Sequence, residues 1–395
     1  MNRRDTLKAL AALPLLHGTR LYAAPEAGSR LLLVFMRGGY DAASLLVPTN
    51  NAFYAESRPN IGIGSPGSGE GAARPLDADW GLHPALADSL LPLYERKQIA
   101  FIPFAGTEDL SRSHFETQNS IELGQSLEGS RDYRSGFLNR LATVLGGERA
   151  QAGAFTRQLP LVLRGKLEVP NIALTSPRQA AADERQRSLI EGMYAGTPLA
   201  GAVGESYLLR ADARAALEKE MQEADAGAIS AAGLEGETRR IATLMRDRFH
   251  LGFVDVGGWD THVNQGNAQG VLANRLGTLG RALAGFAEGM GPRWKDTVVV
   301  VISEFGRTFC ENGNKGTDHG HGTVYWVLGG GIDGGRIAGE QVRVAHETLH
   351  QDRDYPLLNE YRSVLGGLFG RMYGLDAKRL GTVFGDAPPQ ELRLV

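Results

Sequence analysis

The run of β-branched residues from Thr297 to Ser303 (TVVVVIS) most constrains how this 395-residue chain can fold. A strand that is apolar at nearly every position is buried on both faces, as in parallel sheets covered by helices. Similar apolar runs occupy residues 30–36, 99–104, 250–256 and 324–328. Helical patterns lie between and after them, at about 84–96, 112–124, 135–146, 270–289 and 357–373. This alternation predicts an α/β protein with a mainly parallel sheet flanked by helices.

Three other segments complete the coarse organisation. The short apolar run 161–163, directly after Pro160, predicts another strand. Residues 60–75 are rich in Gly, Ser and Pro and predict a surface loop. Residues 178–248 are rich in Ala, Glu, Arg and Leu and predict helices that either cover the sheet or form a helical insertion. We expect a single domain over residues 24–395.

The N-terminus has the pattern of an export signal. Arg3 and Arg4 precede a short apolar run at residues 9–16, and Ala23 ends a stretch of small residues. Paired arginines before a weakly hydrophobic segment are typical of twin-arginine signals, although an amphipathic first helix is the alternative. The pattern predicts a signal peptide over residues 1–23, the twin-arginine translocation machinery as partner, and a periplasmic or secreted mature protein. No apolar run reaches the roughly 18–20 residues of a membrane span, so we expect no stable span.

Composition excludes several classes of protein. The net charge of −3 argues against a nucleic-acid binder. Cys310 is the single cysteine, so no disulfide can form within the chain. The glycine run 329–331 could suggest a nicotinamide-nucleotide enzyme, but it lacks the Gly-x-Gly-x-x-Gly spacing that opens a dinucleotide-binding helix. The chemistry must therefore reside in other motifs.

Polar residues gather beside the predicted strands. In open α/β sheets, ligands bind just past the carboxyl ends of strands. Asp, Glu and His accompany glycines after three predicted strands, at 37–41, 257–262 and 304–308, and before a fourth, at 316–322. Glycines allow sharp turns, so side chains from separate strands can converge. Read singly, the first segment could be a turn and Asp318–His319 a capping pair.

Asp and His side chains together favour a divalent cation. The candidate ligands are Asp41, Asp260, His262, Glu304, Asp318, His319 and His321. A cluster of carboxylates without a cation would repel itself and take up protons. We predict one or two divalent ions, zinc first, with manganese, calcium or magnesium as alternatives.

Six motifs together resemble the twin-arginine-exported proteins that contain domain of unknown function 1501. The matching segments are Arg37-Gly-Gly-Tyr-Asp41, Leu82-His-Pro-Ala-Leu86, Arg112-Ser-His-Phe-Glu116, Gly258-Trp-Asp-Thr-His262, Glu304-Phe-Gly-Arg-Thr308 and Gly316-Thr-Asp-His-Gly-His321. That family is similar in fold to the alkaline phosphatase and sulfatase superfamily. The resemblance implies an alkaline phosphatase-like fold and hydrolysis of a phosphate or sulfate ester, with one or two metal ions and a Ser, Thr or formylglycine nucleophile.

The resemblance also implies residue roles. Asp41 matches the metal-binding Asp that ends the first strand, and Asp260 with His262 matches a later ligand pair. Glu304 stands where the superfamily has the Asp of an Asp-His-Gly motif, which leaves Phe305 in place of its His. An alternative alignment assigns that motif to residues 318–320.

The implied catalytic group lies at the start of a helix. Ser113 is the implied nucleophile, with Ser111 and Thr107 as neighbours. Arg112 would hold the ester, and His114 would bind metal or shuttle a proton. Under a hydrolase hypothesis, Arg37 and Arg307 would also contact the substrate, with a surface salt bridge as the alternative for each arginine. His83 is a further candidate substrate contact, with a helix-entry residue as the alternative. The alternative for Ser113 is a helix cap, because Glu116 three residues later completes the pattern of a capping box.

The resulting functional hypothesis is a metal-dependent periplasmic hydrolase of a small anionic phosphate or sulfate ester. The arginines suit tetrahedral oxyanions, because a guanidinium donates several fixed hydrogen bonds. The alternative is a non-catalytic metal-binding or accessory secreted protein with a degenerate site. Phe305, in place of a His ligand, is the feature that favours this alternative.

Overall fold

A computed structural model describes residues 28–128, 130–147, 150–173, 225 and 227–395. The predicted signal peptide at 1–23 lies outside the described residues, as does most of the predicted helical insertion. Within that insertion, a helix over Ala231–Asp247 is described. No helix in the described ranges is long and apolar enough to cross a membrane.

The elements are named here in chain order. The strands are β1 (Arg30–Met36), β2 (Leu46–Pro48), β3 (Arg74–Pro75), β4 (Trp80–Leu82), β5 (Ile99–Gly106), β6 (Ala152–Ala154), β7 (Leu251–Val256), β8 (Thr297–Ser303), β9 (Thr323–Gly329), β10 (Arg336–Ile337) and β11 (Asn359–Glu360). The α-helices are α1 (Ala42–Leu45), α2 (Ala52–Ser57), α3 (Leu91–Glu95), α4 (His114–Leu123), α5 (Phe137–Val144), α6 (Ala231–Asp247), α7 (Val271–Met290), α8 (Tyr361–Tyr373) and α9 (Ala377–Phe384). Short 3₁₀ turns lie at Pro84–Leu86, Leu161–Leu163, Gly291–Asp296 and His346–Thr348.

The main sheet is mixed but mostly parallel, which confirms the prediction. Its strand order is β10-β5-β9-β8-β1-β7-β6, and β11 pairs with β5 beside that path. Strand β1 runs parallel to both β7 and β8, and β6 runs parallel to β7. Strand β9 is antiparallel to β5 and β8. A small second sheet has the order β2-β4-β3.

Full burial of the central strands explains their continuous apolar sequences. Every residue of β1 and β8 is buried. Alternate side chains enter two separate cores, one on each face of the sheet. Leu32 and Val34 belong to the first core, whereas Leu31 and Leu33 belong to the second. Helices therefore cover both faces, as expected of a parallel sheet.

Several predicted elements differ in the structure. Residues Leu161–Leu163 form a 3₁₀ turn and not a strand, and the amide of Val162 donates to the Glu122 carboxylate instead of to a neighbouring strand. The helix predicted at 84–96 is split into Pro84–Leu86 and α3. Pro92 lies in the first turn of α3, where its missing N–H costs least. The helix predicted at 357–373 begins at Tyr361, and α9 follows it.

Parallel pairing brings three chain segments to one edge of the sheet. Strands β1, β7 and β8 are adjacent and point the same way, so their carboxyl ends lie together. The segments 37–41, 257–262 and 304–308 leave from these ends. Gly38 has a left-handed φ of 118°, and a side chain there would meet the Asp260 amide nitrogen at 2.8 Å. Only glycine lets the loop after β1 pass this close to the loop after β7.

Candidate metal centre

Three histidines converge on one buried carboxylate at this edge. His114 begins α4, Asp260 and His262 follow β7, and His319 precedes β9. The Nε2 atom of His262 lies 2.8 Å from Asp260 Oδ1, and that of His319 lies 3.4 Å from the same oxygen. The Nε2 atom of His114 lies 3.6 Å from Asp260 Oδ2. His319 Nε2 is also 3.0 Å from His114 Nε2 and 3.1 Å from His262 Nε2.

The outer ring nitrogens of the same histidines all face acceptors. His114 Nδ1 lies 2.7 Å from Glu304 Oε1, and His262 Nδ1 lies 3.1 Å from Asp318 Oδ1. His319 Nδ1 lies 3.0 Å from the backbone oxygen of Arg112. A carboxylate or carbonyl can only accept, so each Nδ1 carries a hydrogen. Outer contacts of this kind fix the ring orientation of metal-binding histidines and leave Nε2 as the ligand atom.

The inner nitrogens therefore present lone pairs to each other and to an anionic oxygen. That arrangement is repulsive unless a cation or additional protons lie between them. Asp260 Oδ2 is buried and has no hydrogen-bond partner among the residues that the structure describes. His114, Asp260 and His319 offer ligand atoms that all lie within 4.8 Å of one another. The donor set of imidazole nitrogens and a carboxylate oxygen fits zinc or a similar divalent ion.

The electrostatics of the centre follow from its crowding. Burial raises the pKa of Asp260, but the three histidines and the charge of Arg307 outweigh it and hold that pKa well below its usual range. Burial lowers the pKa of His114, yet contacts with Asp260 and Glu304 raise it to about 9. The negative charges of Asp260 and Glu304 also make the electrostatic potential at the centre favourable for a cation. Burial lowers the pKa of His262 as well, but contacts with Asp260 raise it above its ordinary value, so protons on His114 and His262 can take the place of a cation.

Glu304 lies behind this centre. Its side chain is completely buried, and Oε1 accepts from the Gly38 amide at 2.7 Å and from Gln118 Nε2 at 3.0 Å in addition to its His114 contact. Oε2 accepts from Ser303 Oγ at 2.9 Å. Glu304 was predicted as a ligand, and in the structure it holds the ring of His114.

Phe305 packs directly against the histidines. Its ring centroid lies 4.8 Å from that of His114 and 5.2 Å from that of His319. The residue is 2% exposed and so forms an apolar wall of the centre. Phe305 thus restricts how the imidazoles of His114 and His319 can rotate.

Asp41, also predicted as a ligand, is paired with an arginine. Arg58 Nη1 lies 2.6 Å from Asp41 Oδ2, and Nη2 lies 3.0 Å from Oδ1. Ser44 Oγ and Gln265 Nε2 both donate to Oδ2 at 2.7 Å. Both members of the ion pair are buried, with side chains 0% and 1% exposed. Gln265 also contacts Thr261, the neighbour of Asp260. A buried hydrogen-bond network therefore extends from the Asp41 carboxylate to the residue beside Asp260.

The remaining predicted ligands lie around the centre. Asp318 is 53% exposed at its side chain and contacts the outer nitrogen of His262. His321 is buried and packs against His350, with ring centroids 5.1 Å apart. The structure therefore brings together Asp260, His262 and His319, adds His114, and leaves His321 beside a different partner.

The predicted anion-binding arginines are engaged by carboxylates. Arg37 is buried and contacts Asp255, Glu122 and Gln118 at 2.7–2.8 Å. Arg307 is buried against Asp260 and the Thr317 hydroxyl. Arg112 pairs with Asp354 at 2.7 Å, but its side chain remains 28% exposed. Of these three arginines, Arg112 has the guanidinium that reaches the surface.

Ser113 and His83 both occupy helix starts. Ser113 is the N-cap of α4, and its Oγ accepts from the Glu116 amide at 3.5 Å. The side chain of Ser113 is partly exposed and directly precedes His114. His83 is buried and caps the turn Pro84–Leu86 by accepting from the Ala85 amide at 3.0 Å. Burial lowers the pKa of His83 to about 4, so the ring is neutral at pH 7.

Arg58, Gln118 and Gln265 are parts of the site that were not predicted from the sequence. Arg58 follows α2, far in sequence from every motif, and Gln118 and Gln265 carry no charge that would mark them. Their signal is indirect. A buried carboxylate such as Asp41 requires a partner that neutralises it, and an unassigned Arg is the natural candidate.

Comparisons with known proteins give several similar folds and one family. No curated protein matches the chain. Among solved structures, a protein of the alkaline phosphatase superfamily from Vibrio parahaemolyticus is 10% identical, with a TM-score of 0.43 over 93% of this chain and 72% of that one. A 2-O glycosaminoglycan sulfatase is 9% identical, with a TM-score of 0.40 over 94% and 76% of the two chains. The periplasmic domain of EcEptC from Escherichia coli, solved with zinc, is 9% identical, with a TM-score of 0.34 over 77% and 74%.

A family model described as "Protein of unknown function (DUF1501)" matches residues 28–384. The match includes every motif discussed above from Arg37 to His321 and nearly all of the described structure. The chain therefore belongs to the DUF1501 family.

Proposed function

We propose that this protein is a metal-dependent hydrolase of phosphate or sulfate esters. The observation that carries the proposal is the convergence of three imidazole Nε2 atoms on Asp260, with every Nδ1 fixed by an acceptor. His114, His262, His319 and Asp260 would hold the ion, and zinc suits this donor set best. When bound, the ion would polarise the ester oxygen and lower the pKa of the attacking group.

Ser113 is the proposed nucleophile. It adjoins His114 at the N-terminus of α4, where free N–H groups favour a developing negative charge. Its oxygen would bond to the phosphorus or sulfur atom and give up its proton to water, while the bond to the leaving alcohol oxygen breaks and that oxygen takes a proton from water. A water molecule would then bond to the phosphorus or sulfur atom, the bond to Ser113 Oγ would break and Ser113 would regain a proton, which releases phosphate or sulfate. Arg112, whose guanidinium is partly exposed, would contact the ester oxygens.

The test is the Ser113→Ala variant, assayed on a panel of aryl phosphate and aryl sulfate esters with metal bound. Loss of a nucleophile should lower turnover by at least about 10³-fold. Loss of the cap alone should cost about 1 kcal/mol of the free energy of unfolding and leave turnover nearly intact. Ser230→Ala is the matched control, because Ser230 caps α6 by accepting from the Gly233 amide and is exposed.

The same panel tests the second candidate, a non-catalytic metal-binding or accessory protein. The engagement of Arg37 and Arg307 by buried carboxylates favours this candidate, because it removes two predicted substrate contacts. Wild-type protein that binds metal but hydrolyses no ester of the panel would support it over hydrolysis.

We further propose that the mature single domain, residues 24–395, acts in the periplasm or outside the cell after twin-arginine export. Arg3 and Arg4 motivate this proposal, since the translocation machinery reads an arginine pair. Replacing both by lysine should leave the protein in the cytoplasm, as measured by cell fractionation. Unchanged export of the double variant would contradict the signal assignment.

A further inference from the structure

A cleft of about 670 Å³ lies at the same carboxyl edge of the sheet as the metal centre. Its lining includes Arg37 after β1, Asp255 near the end of β7, Thr156 after β6 and several residues of α4. These strands are neighbours in the order β1-β7-β6. The cleft thus continues along the sheet edge from the ends of β1 and β7, where the metal centre begins.

Helix α4 separates the cleft from the metal centre and contributes to both. His114 points into the centre, whereas the next residue, Phe115, lines the cleft. Gln118 lines the cleft and also donates to Glu304, the carboxylate that holds His114. The cleft and the metal centre thus share α4 and the contact between Gln118 and Glu304.

Two exposed aromatic rings line the cleft. Phe115 is 76% exposed and Tyr133 is 52% exposed, the former on α4 and the latter in the segment between α4 and α5. A large apolar ring left in water forgoes the favourable free energy of burial. A single exposed ring needs no explanation, but two rings that line one cleft provide flat apolar faces for a ligand ring.

Unengaged polar groups accompany these rings. The amides of Asn119 and Gln158 and the guanidinium of Arg164 line the cleft. In the described part of the chain, none of these three side chains has a hydrogen bond or an ion pair. Each amide offers a donor and an acceptor together, which suits adjacent hydroxyl groups, and the guanidinium suits an anionic substituent.

We infer that the cleft binds a saccharide, so that the substrate is a phosphate or sulfate ester of a sugar; this assignment rests on the ester hydrolysis proposed above. A sugar ring has an apolar C–H face that packs on an aromatic ring and an edge of hydroxyl groups that bonds to amides. A lipid or simple aryl group needs an enclosed apolar pocket instead. Here the polar side chains and the exposure of both rings favour the saccharide.

The experiment measures binding separately from turnover. The probes are a sulfated disaccharide, a phosphorylated disaccharide, the matching neutral disaccharide and adenosine monophosphate, each titrated into the full mature protein and followed by ligand-observed NMR. Phe115→Ser and Tyr133→Ser remove one ring each from exposed positions, so folding should survive. Val271→Ser removes a 43% exposed apolar residue at the start of α7, away from the cleft, and is the control.

Each ring variant should weaken disaccharide binding about tenfold, as truncation of an aromatic contact does, and the control should not change it. All variants are repeated in a His319→Ala background, which cannot perform the proposed hydrolysis. Saccharide binding that persists there while wild-type protein hydrolyses no ester would support the cleft and contradict the proposed function. Ester hydrolysis without saccharide binding, binding unaffected by both ring variants, or preference for adenosine monophosphate would overturn the inference.

Discussion

Asp41 and Asp260 occupy equivalent places in the chain but have opposite surroundings. Each is a buried carboxylate that follows a central parallel strand, β1 for Asp41 and β7 for Asp260. Asp41 is held by Arg58, Ser44 and Gln265, which together donate to both of its oxygens. Asp260 contacts Arg307 through Oδ1, is surrounded by three imidazoles, and leaves Oδ2 without a hydrogen-bond partner in the described structure.

Each carboxylate contacts a buried arginine, so the difference lies in whether the surrounding donors leave a carboxylate oxygen free. An arginine remains protonated at any ordinary pH, so Arg58 neutralises Asp41 permanently. Histidines can lose their protons and offer lone pairs, so those near Asp260 can exchange protons for a metal ion. Position at a strand end therefore does not by itself make an aspartate a metal ligand. Its neighbours decide whether the site is closed, with donors on both carboxylate oxygens as at Asp41, or open, with one oxygen free beside imidazoles as at Asp260.

The largest expected effect comes from removing an imidazole at the open site. His319 Nε2 lies within 3.4 Å of Asp260, His114 and His262. His319→Ala should therefore weaken zinc binding by well over about 100-fold, more than loss of an outer-shell contact does. Isothermal titration with zinc and elemental analysis of the purified protein measure this change.

The control is a histidine elsewhere on the surface. His346 is 68% exposed and pairs with Asp352, so His346→Ala should retain full metal content. Equal metal content in His319→Ala and wild-type protein would exclude the proposed centre.

The second prediction concerns the closed site. Arg58→Met removes the fixed cation and leaves the Asp41 carboxylate buried without a countercharge. Breaking a buried ion pair in this way should cost about 3–5 kcal/mol of the free energy of unfolding. Denaturant unfolding at pH 7 measures the loss, and the double variant Arg58→Met, Asp41→Asn should recover much of it. Zinc affinity should change little, because Arg58 contacts none of the three imidazoles.

The pH dependence of this variant has a defined sign. Burial raises the pKa of Asp41, but the charge and hydrogen bonds of Arg58 bring it below the ordinary value of 3.8. The native ion pair thus contributes its full stability above pH 3.8 and loses it only as the pH falls further. Without Arg58, burial dominates and Asp41 takes up a proton on folding. The difference in stability between variant and wild type should therefore shrink as the pH falls from 7 to 4, and a constant difference would contradict this account.

Much of the fold could be predicted from periodicity. Continuous apolar runs identified β1, β7, β8 and β9 because double burial imposes that pattern whatever the strand order. Short elements were predicted poorly. Residues Leu161–Leu163 are apolar enough for a strand, but their backbone groups bond to Glu122 and to local carbonyls. Three residues carry too little pattern to distinguish the two outcomes.

The segments that form the candidate site could be predicted from the sequence, but the contacts between their side chains could not. Glycines beside Asp and His marked the loops that hold Asp260, His262 and His319. Nothing in the sequence states which carboxylate an arginine will reach, so Arg58 and its effect on Asp41 could not be inferred. Nor does the sequence show which nitrogen of His114 will face inward. Both are properties of tertiary contacts: Arg58 lies 17 positions from Asp41, and His114 lies 190 positions from Glu304.

The smallest expected effect is a difference in zinc affinity between variants of the two carboxylates that contact outer imidazole nitrogens at the open site. Glu304 and Asp318 each contact an outer nitrogen, Glu304 that of His114 and Asp318 that of His262, but Glu304 is completely buried whereas the Asp318 side chain is 53% exposed. Charge acts more strongly where water is excluded. Glu304→Gln should weaken zinc binding about 10–100-fold, as loss of an outer-shell carboxylate does, and Asp318→Asn only a few-fold. Both variants retain an oxygen that accepts from the imidazole, so ring orientation is preserved and the change reports the charge. Zinc titration of the two proteins gives the ratio, and an effect of Asp318→Asn equal to or larger than that of Glu304→Gln would show that burial does not set the strength of this support.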